Sequence, residues 1–168
     1  MSTYRETKVP LAAFHRHFLV THLKGNSDCV LKRLEARALK SGESFERLMA
    51  DLMASCYPQA GFRDDNWYAA EILLDCCYFA HEDFRLFPVP KDGRFVDFLP
   101  AQREKIQAGC FPCALQICEP WSHSPPEPLV QERGGKYYVL DGQLRVIRYW
   151  YHSVSNVKVF IYRGKQAL

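Results

Sequence analysis

Apolar residues recur along the first sixty positions with the period of a helix. Leu31, Leu34 and Ala38 follow the polar pair Ser27-Asp28 and stop at Ser41-Gly42, which predicts a helix over that span. Ser44 is a cap for a second helix carrying Phe45, Leu48, Met49 and Leu52 on one face, and Tyr57-Pro58 and Gly61 break it. From about Asp65 to Ala80 the chain is apolar almost all round (Trp67, Ala69, Ala70, Ile72, Leu73, Leu74, Cys76, Cys77, Phe79), which predicts a third, buried helix. Further on, short strands are expected at Leu86–Pro90 and Arg94–Phe98 around a Lys91-Asp92-Gly93 turn. A helix with proline in its first turn is expected from Pro100 to Gly109, and a strand from Cys113 to Glu119. A proline-rich loop, Glu119–Pro128, leads into two strands, Pro128–Arg133 and Lys136–Leu140, joined at Gly134-Gly135. Asp141-Gly142 then turns the chain into a helix, and Asn156–Tyr162 reads as a returning strand.

Composition narrows the class. With 168 residues, 48% of them hydrophobic, the chain can bury one sizeable core. A net charge of +3 permits binding to nucleic acid without demanding it. No run of about 18 apolar residues suggests a membrane span, and the opening MSTYRETKVP has no apolar leader, so a cytoplasmic location is expected. In that setting the seven cysteines (29, 56, 76, 77, 110, 113 and 118) are expected as reduced thiols. Cys76 and Cys77 read as packing.

The run from Gly134 to Trp150 holds the best candidate chemistry. Backbone N–H groups at a helix start have no helical acceptor, and the helix dipole favours an anion there. Gly142 lets the chain turn and a ligand approach, and Arg145 adds a permanently charged fork over the same spot. The ordinary alternative is a plain strand-turn-helix in which Asp141 is the N-cap. Arg148 lies three residues on, near the same face, and Arg133 and Lys136 extend a basic edge. Hydrolysis of a phosphate bond needs a carboxylate to orient water or hold Mg²⁺. Asp141 is the first candidate for both tasks, Glu127 and Glu132 follow, and Glu119 is weaker. Trp121 is placed either to stack on a nucleotide base or to plug the core beneath its loop.

Two other clusters read as structure. Cys110, Cys113 and Cys118, even with His123, lack the second ligand pair of a zinc site. His15-Arg16-His17, with His22, reads as a solvated basic face.

The string PLVQERGGKYYVLDGQLRVIRYW, continued by VKVFIYR, resembles the core of the ParB/sulfiredoxin superfamily. That resemblance implies an α+β protein. Its hairpin, G-x-x-R phosphate turn, helix and returning strand would form a core over residues 86–168, with a helical N-terminal region over 1–85 packed on it. Sulfiredoxins carry a cysteine after the turn glycine. Gln143 stands there in this chain, so sulfinic acid repair is not expected. ParB proteins carry a glutamate at the same place, and Asp141 is the substitute carboxylate within reach. The resemblance implies nucleotide and DNA-phosphate binding through Gly142, Gln143, Arg145, Arg148 and Trp121. It also implies ATPase and DNase activity with ATP and Mg²⁺, the latter on Asp141. The long N-terminal region and the DGQLR turn resemble the plasmid-encoded Osa-like fertility-inhibition branch, whose members act against conjugative or T-DNA transfer. The partners so implied are a nucleoside triphosphate, DNA and a protein of the conjugation machinery. The rival reading keeps the fold as a non-enzymatic protein-interaction or DNA-binding module.

Overall fold

Ser44 fulfils the capping role its sequence suggests: its Oγ accepts the N–H of Arg47 at 3.2 Å and so starts a helix at Phe45. The computed structural model describes residues 6–22, 27–56, 66–80, 88–90, 92–110, 114–120 and 127–164. Its chain divides into two compact units, one of residues 8–68 and 162–168, the other of residues 1–7 and 69–161.

The first unit is largely helical. Helices α1 (Leu11–His22), α2 (Ser27–Ser41) and α3 (Phe45–Cys56) pack pairwise on one another. α2 and α3 stand where the periodicity puts them, and Gly42, at φ +71°, ends α2 in a conformation that suits glycine. Phe14 of α1 stacks on Trp67 with ring centres 3.8 Å apart, and Tyr162 leans on the same indole at 5.1 Å. All three rings are buried. His15 is also buried, at 2% exposure, so this histidine is not part of a solvated face. A helix brings it round with Phe14 into the interior, which spacing in a short basic segment does not reveal.

The second unit holds most of the sheet. The strands are β1 (Thr7–Lys8), β2 (Trp67–Leu73), β3 (Cys77–Phe79), β4 (Leu129–Arg133), β5 (Lys136–Asp141) and β6 (Asn156–Tyr162). Among the described residues they lie in the order β1-β2-β6-β4-β5-β3. β4 and β5 form an antiparallel hairpin that pairs Arg133 with Lys136, Gln131 with Tyr138 and Leu129 with Asp141. β3 runs parallel to β5, with Tyr78 beside Tyr138. The architecture is thus mixed α/β on a mixed sheet.

The long apolar run is the main correction. Residues 67–79 form two strands joined by a tight 3₁₀ turn at Leu74–Cys76, not a helix. A run apolar on every side fits a strand buried on both faces as well as it fits a core helix. Here the aromatic and branched residues Trp67, Tyr68, Ile72, Tyr78 and Phe79 settle into strands, and the exposed Asp75 sits at the turn. The N-terminal half is therefore not wholly helical. Two expected strands are also short helices: α4 (Phe95–Phe98), where only Arg94 keeps an isolated bridge to Tyr78, and α6 (Ala114–Cys118). Of the other strand expected before α4, Leu86 and Phe87 lie outside the described residues and Pro88–Pro90 is irregular.

The helix starting near Pro100 is present, as a 3₁₀ turn at Leu99–Gln102 followed by α5 (Arg103–Gln107), and it ends at Gly109 with φ +67°. Behind the sheet, Phe79 stacks on Phe95 at 3.8 Å and meets the edge of Phe98. α7 (Gln143–Tyr151) turns Val146 and Ile147 into this core, where both are fully buried. The sheet residues Val130, Val139, Val157, Val159 and Ile161 are fully buried as well. The order β4, β5, turn, α7, β6 is the one expected from the sequence.

Candidate phosphate-binding turn

β5 ends at Asp141, and Gly142 is the N-cap of α7 in the left-handed region, at φ +86° and ψ 24°. Gly142 has no side chain with which to cap this helix. The first helical bond runs from the N–H of Val146 to the Gly142 carbonyl at 3.0 Å. The N–H groups of Gln143, Leu144 and Arg145 in the turn before it have no acceptor within the helix. The N-cap residue is thus Gly142 and not Asp141, which corrects the plain N-cap expectation. Asp141 Oδ2 instead accepts from Arg145 Nη2 at 2.7 Å. The carboxylate precedes the left-handed residue, and the guanidinium, a stronger donor than a backbone N–H, takes it.

The guanidinium folds back across the glycine. A Cβ on residue 142 would stand 2.7 Å from Arg145 Nε and 2.8 Å from Nη2, so any other residue there would push the guanidinium aside as well as strain φ. Arg145 Nη1 donates to the Glu127 carbonyl at 3.2 Å. Both members of the Asp141–Arg145 pair keep about a fifth of their side-chain surface open to solvent (21% and 19%), so a ligand can reach them.

α7 repeats this pattern down its length. Arg148 Nε donates to the Glu119 carbonyl at 2.9 Å, and its Nη2 reaches the same oxygen. Desolvation lowers the Arg148 pKa from its ordinary value, with Glu119 opposing, and leaves it a cation. His152 Nε2 lies 3.1 Å from the Ile117 carbonyl. Positions 145, 148 and 152 fall on one helix face. They hold backbone on both sides of the proline-rich stretch. Arg145 and Arg148 thus share a face, as their spacing requires, but both also carry a structural task that spacing does not show.

The other candidates divide. Glu127 is at the site twice: its carbonyl meets Arg145, and its carboxylate acts on Tyr149. Glu132 lies opposite Tyr137, three residues along β4 from the Leu129–Asp141 pair, roughly 10 Å of strand away from the turn. Arg133 and Lys136 close that far end. Arg133 lies over the Tyr138 ring at 5.1 Å and bonds Gln131 Oε1, while Lys136 lies over Tyr78 at 4.9 Å. The basic edge is therefore two separate groups. Gln143 and Gly142 are both part-exposed at the helix start. Trp121, His123 and Cys113 lie outside the described residues. Cys110 is exposed, and Cys118 Sγ points to the Ile106 carbonyl at 3.8 Å.

Tyr149 is the site residue the sequence reading missed. It follows Arg145 by four residues, which puts it on the same face. Burial and then the Glu127 carboxylate raise its phenol above the ordinary value, while Arg145 pulls it down. It stays a neutral hydroxyl beside the turn at physiological pH.

These groups suit phosphate: N–H donors with no acceptor within the helix, a fork over a glycine, and a neutral hydroxyl on the same face. They do not suit Mg²⁺ as they stand. The Asp141 carboxylate is engaged by a guanidinium, and among the described residues no group of three or more His, Cys, Asp or Glu could hold a metal ion. Comparison with models of known protein families, with curated proteins and with solved structures returns no significant match to this chain.

Proposed function

We propose that this chain binds the phosphates of a nucleoside triphosphate, or of DNA, at the Gly142 turn of α7. The observation that carries this reading is the Arg145 guanidinium folded over the left-handed glycine that is the N-cap of α7. A phosphate oxygen there meets backbone donors and a charged fork at once. The resemblance to the ParB/sulfiredoxin superfamily supports the same site. It extends the proposal to hydrolysis of ATP or DNA and to interference with conjugative or T-DNA transfer. Asp141 is the only carboxylate of the candidate set on the turn itself, so a hydrolytic step would have to detach it from Arg145 before it could orient water.

The Asp141–Arg145 pair favours a second reading, a binding protein that does not hydrolyse its ligand. The test is ATP binding and ATP hydrolysis with Mg²⁺ by the full chain, comparing wild type with Arg145→Ala and Arg145→Lys. We expect Arg145→Ala to weaken ATP binding by roughly 10- to 100-fold, the worth of a charged hydrogen bond, with Arg145→Lys in between. Circular dichroism checks that both variants stay folded. Turnover lost along with binding supports the enzyme, and binding without turnover supports the binding protein. Wild-type protein that does not bind ATP, or a folded Arg145→Ala that binds it unchanged, overturns the site.

A further inference from the structure

Helix α2 carries a second charged surface, one that the phosphate turn does not use. Its sequence SDCVLKRLEARALKS has four cations against two acids, so this single helix accounts for two of the chain's three net positive charges. Lys32, Arg33, Arg37 and Lys40 are all exposed, and among the described residues none of them makes an ion pair or a side-chain hydrogen bond. Several cations elsewhere are engaged. Arg133 and Lys136 lie on tyrosine rings, Arg94 is bound to Asp97, and Arg145 and Arg148 hold backbone carbonyls.

At about 100° per residue, Arg33, Arg37 and Lys40 fall within about 60° of one another around the helix. The half-buried Leu34 and Ala38 take another side, and Glu35 lies roughly 160° round from the stripe. The stripe is thus free of acids and about 10 Å long at 1.5 Å per residue.

We infer that this stripe binds the phosphodiester backbone of duplex DNA. Ten ångströms matches the rise of about three phosphates along one strand, at 3.4 Å each. Two of the three stripe residues are arginines, whose planar fork suits phosphate. A helix that lies on a lipid surface carries large apolar residues beside its cations. Here the exposed leucine, Leu39, sits about 100° round from Lys40 and further from the two arginines. The choice of DNA as partner rests on the phosphate-binding reading above, but the surface is separate from the turn and can be tested apart from it.

The experiment is fluorescence anisotropy of a labelled 20-base-pair duplex with the full chain, from 50 to 300 mM KCl. It compares wild type with the R33Q/R37Q/K40Q triple variant and with Glu35→Gln. Glutamine keeps the helix, since its propensity is close to that of arginine and lysine, and circular dichroism checks it. Each phosphate contact contributes about 0.9 to the slope of log affinity against log salt. The triple variant is expected to lose about 2–3 of that slope and at least tenfold in affinity at 50 mM KCl. Glu35→Gln is expected to keep the wild-type slope. ATP binding by the triple variant is expected to be unchanged, so failure at α2 and failure at the turn give different patterns. An unchanged slope in the triple variant overturns the inference, as does wild-type protein that does not bind the duplex. Polyglutamate that displaces the duplex at equal charge concentration overturns it in favour of an acidic polypeptide partner.

Discussion

Gly142 carries two demands at one position. Alanine there would have to hold φ +86°, which costs an L-residue about 1–2 kcal/mol. Its Cβ would also drive the Arg145 guanidinium off Asp141, a part-exposed pair worth up to about 1 kcal/mol. We expect Gly142→Ala to lower stability by about 2 kcal/mol in urea denaturation. In an Arg145→Ala background the cost should fall to the backbone share alone, because nothing is left to displace. Equal costs in the two backgrounds would show that the clash is not felt. The glycine and the arginine were both legible in the sequence, because Asp-Gly after a strand is a turn signal and Arg145 follows by three. The partner of Asp141 was not. A carboxylate before a helix has two local donors in reach, the backbone and the i+4 arginine, and only the left-handed turn at Gly142 decides between them. Tyr149 was legible in principle from its i+4 spacing, but tyrosine is so often core that spacing alone does not select it.

At the scale of elements, signals at the ends were better guides than signals along the middle. α2 and α3 have a polar start, a 3.6-residue period and a stop at Gly42 or before Tyr57-Pro58, and both form as read. The Ser44 cap makes this testable. Ser44→Ala removes the acceptor for the Arg47 N–H and is expected to cost about 1 kcal/mol, read as a lower urea midpoint, while Ser44→Asp keeps it. A midpoint unchanged by alanine would mean that α3 is held by packing alone. β4, β5 and β6 were legible for a related reason: Gly134-Gly135 and Asp141-Gly142 punctuate them. β2 and β3 were not. Glu71 and Asp75 are their only charged residues, and a run so nearly apolar has no clear period to read. α4 and α6 are four and five residues long, too short to show a period, so tertiary packing decides them.

At the scale of the whole molecule, the chemistry on offer is charge rather than thiol. A thiol buried in the sheet is held in its neutral form. Cys77 pairs with Tyr137 in the parallel ladder and is fully buried. Burial, with smaller contributions from Cys76 and Asp75, pushes its thiol from 9.0 up to about 12. Thiol and thiolate therefore partition differently in the folded and unfolded chain. Below pH 9 both states are protonated, and the buried thiol contributes its full stability. Between about 9 and 12 the unfolded chain loses a proton that the folded chain keeps, so stability falls with pH by up to about 1.4 kcal/mol per unit. The check is a series of urea midpoints from pH 8 to 11 for wild type and Cys77→Ala. Alanine leaves a cavity and a lower midpoint throughout, but its curve should be flatter above pH 9. The tyrosines and lysines that titrate there are common to both proteins and cancel in the difference. Parallel curves would mean that Cys77 ionises in the folded state as readily as in the unfolded one, which would overturn the effect assigned to its burial. Diverging curves would leave the exposed Cys110 as the more accessible thiol of the two.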